Sequence, residues 1–127
     1  MSYGKAAVCA AILCQDKRHN PMEAWELAVQ EHIPTQSGRA KGCPKGAFLG
    51  LCGEGKISGI SPGKYSRSVK NRDYALTAVK ILQKQIDSSE LSAGELWDKV
   101  MTWHNKSIVP NSQMEVVLAL WKEGLIR

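Results

Sequence analysis

At three of the expected helix starts in this 127-residue chain, a side chain suited to capping a helix is followed three places later by glutamate. The pairs are Asn20 with Glu23 in "NPME", Ser92 with Glu95 in "SAGE", and Ser112 with Glu115 in "SQME". Each pair has the form of a capping box, which satisfies N–H groups that the first turn of a helix leaves free. Apolar residues at helical spacing follow each one, and no segment alternates convincingly with the period of two that a half-buried strand needs. These signals point to an all-α fold, a compact bundle of about six helices. The length suits one helical domain over residues 1–127 and is enough to bury an ordinary core without staples.

The apolar stripes place the helices. The first covers Tyr3 to Gln15, where Ala6, Ala7, Ala10 and Ala11 would let a neighbour approach closely. The second starts at Pro21, well placed for a first helical position, and carries Met22, Trp25, Val29 and Ile33 until Pro34 stops it. A third is expected from Pro44 to Cys52, with Phe48, Leu51 and Cys52 inward and Gly53 and Gly55 ending it. A fourth runs from Asn71 to Ile86 on Ala75, Ala78, Val79, Leu82 and Ile86. The fifth carries Leu96, Trp97, Val100 and Trp103. The sixth, starting at Asn111–Ser112, carries Met114, Val117, Leu118 and Trp121 and ends at Gly124. Between the third and fourth lies one long Gly/Lys-rich loop, with at most a short extended piece around Lys56 to Ile60. Ile57, Ile60, Tyr65 and Val69 are available to pin that loop to the core. Tyr65, between Lys64 and Arg67, could stack on a base or serve as an anchor.

Charge is concentrated in the middle of the chain. The formal net charge is +5, but residues 39–72 alone hold eight Lys or Arg, seven Gly and a single acid, Glu54. The other 93 residues are slightly acidic. A local positive field attracts nucleic acid, phosphorylated molecules or an acidic protein partner; the bland alternative is a solvated loop. Lys41 and Lys45 flank an expected helix start, where free N–H groups and the helix dipole favour anions. The candidate anion-binding set is Arg39, Lys41, Gly42, Lys45, Gly46, Lys64, Arg67, Lys70 and Arg72. Neither a P-loop nor a dinucleotide fingerprint is present. Gly46 and Gly50 have a competing explanation, close packing of the helix against another.

The four cysteines, Cys9, Cys14, Cys43 and Cys52, show no zinc-knuckle spacing. Cys9 and Cys14, five residues apart on a helix, point about 140° from each other. No metal site and no cofactor are expected. Reduced thiols and a cytoplasmic location fit this usage, and the apolar run Ala6 to Cys14 is too short to span a bilayer. Cys43, near a helix N-terminus and two lysines, is the candidate reactive thiol. No motif places His19, His32 or His104 beside it as a base.

A weak internal echo is also visible. "FLGLCGEGKI" (residues 48–57) aligns with "VLALWKEGLI" (residues 117–126) at five of ten positions, and "EAWE" resembles "ELWD" upstream. A duplicated helical hairpin would produce this. So would convergence of two helix endings on the same chemistry, which is the favoured reading.

The segments "KGCPKGAFLGLC", "YGKAA" and "NSQMEVVLALW" resemble a family of small bacterial proteins of unknown function. The resemblance covers nearly the whole chain and implies a compact, helical protein; it transfers no site residue. The leading expectation is a non-enzymatic binding module that uses residues 39–72 for nucleic acid or another anionic ligand. The alternatives are a small enzyme or thiol-reactive protein centred on Cys43, and a structural or protein-interaction domain using exposed tryptophan. No membrane partner is expected, and the sequence leaves the oligomeric state open.

Overall fold

The computed structural model of the protein describes residues 2–85 and 90–127. The described residues form α1 (Tyr3–Gln15), α2 (Pro21–His32), the single-turn α3 (Gln36–Arg39), α4 (Gly42–Gly53), α5 (Val69–Lys84), α6 (Ala93–His104) and α7 (Gln113–Lys122). The fold is all-α. Among the described residues the only β pairing is an isolated antiparallel bridge between Ile57 and Ile126.

Local chemistry accounts for most helix starts. Ser2 accepts from the Lys5 N–H at 3.0 Å, and Asn20 accepts from the Glu23 N–H at 2.9 Å with Pro21 at the first helical position. Ser92 and Glu95 form the complete capping box, each side chain accepting from the other's backbone N–H at 3.1 Å. The third expected box does not form. Ser112 adopts a left-handed conformation (φ 68°) and makes no side-chain cap. Gln113 serves the turn instead: its Oε1 accepts from the Asn111 N–H, and its Nε2 donates to Asn71 Oδ1 on α5. α3 has no counterpart in the expected helices; Thr35 caps it by accepting from the Gly38 N–H at 3.1 Å.

Three further differences concern boundaries and burial. α4 begins at Gly42, so Pro44 occupies the third helical position rather than the first, where its missing N–H still costs nothing. α5 begins two residues before Asn71, and Ile86 lies outside the described residues. Met22 (47 % exposed), Val69 (55 %) and Trp103 (55 %) stand outside the core. In α2 the buried face runs through Pro21, Ala24, Trp25, Ala28 and Val29, so small alanines rather than Met22 meet the neighbouring helix.

α4 is the central element. Eight of its twelve residues are buried, and it packs on α2, α5 and α7. Phe48 stacks on Trp25 of α2 with ring centroids 5.4 Å apart. The crossing with α5 is close because Gly46 and Gly50 lie on it. A Cβ at Gly50 would fall 2.7 Å from Cα and Cβ of Arg72, and one at Gly46 would fall 3.0 Å from Asn71 Cβ. The packing explanation for these two glycines therefore holds.

The echoed decamers end their helices in the same way and then meet. Gly55 (φ 69°) and Gly124 (φ 71°) take the left-handed position, which glycine occupies without a steric cost. The Lys56 N–H returns to Leu51 O, as the Leu125 N–H returns to Leu120 O. The bridge is then made by the Ser58 N–H to Leu125 O and the Arg127 N–H to Lys56 O, both at 2.8 Å. Residues 56 and 58 of the first copy correspond to 125 and 127 of the second at an offset of 69, so each copy donates from the later residue to the earlier residue of the other. The helix contacts follow the same exchange: α4 packs on α5 through Gly46 and Gly50, and α7 packs on α1 through Ala119 and Gly4. Convergent endings alone do not require the two copies to bind each other, so the contacts have the pattern of a two-fold exchange of α1–α2–α4 with α5–α6–α7.

The loop between α4 and α5 is pinned by buried Ile57 and Ile60 and by half-buried Tyr65, which packs against the core while its hydroxyl donates to Ser61 O within the loop at 2.8 Å. The loop is held against the end of α4 by the Gly63 N–H, which donates to Gly53 O at 3.1 Å, and it delivers the chain to the start of α5.

Candidate anion-binding cleft at the start of α5

The nine residues expected to bind anions fall into three environments. Arg39 is committed to the C-terminal end of α2, donating from Nε to Ile33 O at 2.7 Å and from Nη2 to Gln30 O. It satisfies carbonyls that a helix end leaves free. Lys45 forms an ion pair with Glu26 of α2 at 3.1 Å. Lys41 stands over the Tyr3 ring, 5.9 Å from its centroid, and lines a cleft with Asn111, Ser112 and Glu115. Gly42 is open, with nothing within 4 Å of a Cβ built there, whereas Gly46 is buried under Ser68 and Asn71. The start of α4 is therefore bordered by bases that already have partners.

The remaining four bases surround the start of α5. Lys64, Arg67 and Lys70 are exposed and have no ion-pair partner among the described residues. Arg72 is paired with Glu54 at 3.8 Å and with Asp73 at 3.2 Å. Lys64 and Arg72 line a cleft of about 220 Å³ whose wall also includes Ser66, Ser68, Val69, Glu54 and the Gly50–Gly53 edge of α4. The cleft lies where the incoming loop, the C-terminal end of α4 and the first turn of α5 converge.

The first turn of α5 shares with that of α4 the lack of an acid and of a side-chain cap. At 16 residues α5 is the longest helix described, and three of the bases beside its start have no ion-pair partner among the described residues. The reason for the missing cap lies in the packing beneath it. Ser68 occupies the cap position, but its hydroxyl accepts from Asn71 Nδ2 at 2.8 Å, and Asn71 Oδ1 is taken by Gln113. Both residues pack closely over Gly46, where a Cβ would fall 3.0 Å from that of Asn71 and 3.1 Å from that of Ser68. The backbone N–H groups of Val69, Lys70 and Asn71 thus keep no side-chain acceptor, and the positive end of the helix dipole adds to the bases around it. Four bases face two acids, Glu54 and Asp73, so the local field is positive. Ser66 and Ser68 are the cleft residues that charge counting missed, and Glu54, the lone acid of that stretch, lines the cleft with them. Their roles depend on how the loop folds back, which no local pattern encodes.

The other candidate, Cys43, is the second residue of α4 and half-buried. All four cysteines are free thiols. Burial, and then the Asp16 carboxylate, pushes Cys14 up to about 11. Burial also pushes the Cys52 thiol strongly upward, with Cys14 as its next cause. These two behave as small apolar core residues. No described helix is long and apolar enough to cross a membrane.

No curated protein and no solved structure matches the chain. A family model described as "Family of unknown function (DUF6979)" matches residues 1–127 throughout, and the chain belongs to that family.

Proposed function

We propose that the chain is a non-catalytic binding module that takes the phosphate groups of a nucleic acid at the start of α5. One observation carries this reading: three bases with no ion-pair partner among the described residues lie beside an uncapped helix N-terminus and a small cleft. At about 220 Å³ the cleft is smaller than the roughly 300–1,000 Å³ typical of pockets for whole small molecules. It suits one phosphate of a polymer, with neighbouring phosphates reached by the exposed bases. The absence of a base-reading helix among the basic residues implies contact with the backbone rather than with sequence.

The test is the salt dependence of binding to a short duplex. If Lys64, Arg67 and Lys70 each neutralise one phosphate, counterion release gives a log–log slope of about −2.7, so affinity falls about 40-fold between 50 and 200 mM salt. Changing each base to Gln lowers the slope by about 0.9. Lys45→Gln, whose native partner is Glu26, leaves binding nearly unchanged. Absence of binding at low salt, or a slope indifferent to all three changes, refutes the proposal.

A second reading, contact with another protein through tryptophan, has one observation in its favour. Trp103 is exposed and lines a shallow cleft with Ile81, Asp98, Lys99 and Thr102. The same titration separates the readings, because a tryptophan contact ignores the three bases.

A further inference from the structure

The packing of α1 on α2 brings a side chain of metal-ligand type on α1 against two neighbouring ones on α2, 22 and more residues away in sequence. Cys9 comes from the middle of α1, and Glu31 and His32 come from the last turn of α2. One ligand atom from each of the three lies within 4.8 Å of the other two. The Cys9 thiol donates to Glu31 Oε2 at 3.9 Å. Glu31 forms no ion pair among the described residues, and no described group hydrogen-bonds the His32 ring. A thiol, a carboxylate and an imidazole therefore converge with little other commitment.

Beside them is a cleft of about 590 Å³. Cys9 and His32 form part of its wall, with Val8, Ile12, Leu13 and Ala119 supplying an apolar surface. It is open enough to admit a ligand, and two lysines, Lys5 and Lys122, stand in its lining.

We propose that Cys9, Glu31 and His32 form a zinc site with one coordination position left for a ligand from this cleft. Zinc takes thiolate, imidazole and carboxylate donors at about 2.0–2.3 Å in tetrahedral geometry, so donor atoms lie about 3.3–3.8 Å apart. Reaching that spacing takes closure of about 1 Å from the present upper limit, within the range of side-chain rotation at a helix end. Binding converts the Cys9 S–H into a sulfur–metal bond and releases its proton to solvent. Three protein donors with an open fourth position is the arrangement of a catalytic or ligand-binding zinc rather than a structural one. The spacing rules for cysteine do not reveal it, because only one cysteine takes part and the other two donors come from a second helix. The site is separate from the α5 cleft, and its test is independent of nucleic-acid binding.

The experiment is titration of the reduced full-length chain with Zn²⁺ by calorimetry and with Co²⁺ by electronic absorption. One ion per chain is expected, with a sulfur-to-cobalt charge-transfer band and ligand-field bands of four-coordinate intensity. Cys9→Ser abolishes the charge-transfer band. Glu31→Gln and His32→Ala each weaken Zn²⁺ binding by about tenfold or more, and circular dichroism confirms that each variant remains helical. Cys43→Ser changes neither signal. A charge-transfer band that survives Cys9→Ser, or Zn²⁺ binding unaffected by His32→Ala, overturns the assignment. So does a lack of saturable binding by the native chain.

Discussion

Replacing Gly50 by alanine tests the close crossing of α4 and α5 that sets the cleft. Helix propensity alone makes Gly→Ala in a helix interior stabilising by about 1 kcal/mol. The structure reverses the sign. The new methyl would lie 2.7 Å from Cα and Cβ of Arg72 and 3.0 Å from its Cγ, whereas unstrained carbon contacts fall at about 3.5–4.0 Å. Two of these three atoms cannot rotate away, because Cα is backbone and Cβ is fixed to it. The helices must separate by about 1 Å, and overpacking of this kind costs roughly 1–3 kcal/mol. Set against the propensity gain, the net is a loss of about 1–2 kcal/mol near the upper part of that range. A chain of this size loses about 4 °C in melting temperature per kcal/mol, so Gly50→Ala should lower Tm by about 4–8 °C. Gly94, the second residue of α6, is the control: a Cβ there meets nothing within 4 Å. Gly94→Ala should raise Tm by up to about 4 °C. Thermal unfolding followed by circular dichroism measures both. If the two substitutions shift Tm in the same upward direction, the reasoning about this crossing is refuted.

Other expectations are narrower. With a thiol reagent at neutral pH, Cys43 should label first and Cys9 more slowly, since burial and Glu31 push the Cys9 thiol up; Cys14 and Cys52 should label only on unfolding. Equal rates at all four would contradict their placement. Ser92→Ala should cost about 1 kcal/mol by removing a cap, read from chemical denaturation. The backbone N–H and hydroxyl of Ser92 hold the Glu95 carboxyl below its ordinary value near 4.5. A depressed carboxyl contributes stability that is fully present above the unfolded value and is lost as pH falls through the folded one. The stability difference between the native chain and Glu95→Gln should therefore be present at pH 7 and shrink below about pH 4.5; a difference that grows on acidification would reverse the argument. Removing Ile126 and Arg127 deletes half of the bridge to Ile57, a fully buried residue. It should destabilise the loop before α5 and speed amide exchange at Ser58, whose acceptor is Leu125 O. Unchanged exchange at Ser58 would show that the bridge does not hold the loop.

How much of this was legible in the sequence depends on the range of the interactions. The capping box at Ser92–Glu95 and the Asn20 cap act within four residues; the first forms in full, and the second forms through Asn20 without the return bond from Glu23. The Ser112 signal fails because Gln113 reaches Asn71 on another helix, a contact 42 residues away that no local pattern shows. Met22 and Trp103 fit their stripes by spacing yet face outward, because which side of a helix is buried depends on the neighbour's shape. Alanines at positions 24 and 28 give α2 its closest approach, and hydrophobicity scales rank them below methionine. The charge cluster was visible, but not its partition. Arg39 is absorbed by α2 carbonyls and Lys45 by Glu26, leaving Lys64, Arg67 and Lys70 without an ion-pair partner among the described residues. The echo was visible too; that its two copies pair with each other was not, since pairing is a property of the assembled bundle.

The central claim is that the uncapped first turn of α5 receives an anion, and amide chemical shifts report on it directly. Titrating the native chain with inorganic phosphate, and then with a short DNA duplex, should move the backbone N–H signals of Val69, Lys70 and Asn71 most, with saturation and with loss of the effect at high salt. Largest shifts at Gly42 and Cys43 would place the anion at α4 instead, and no saturable shift in the first turn of α5 would contradict the account.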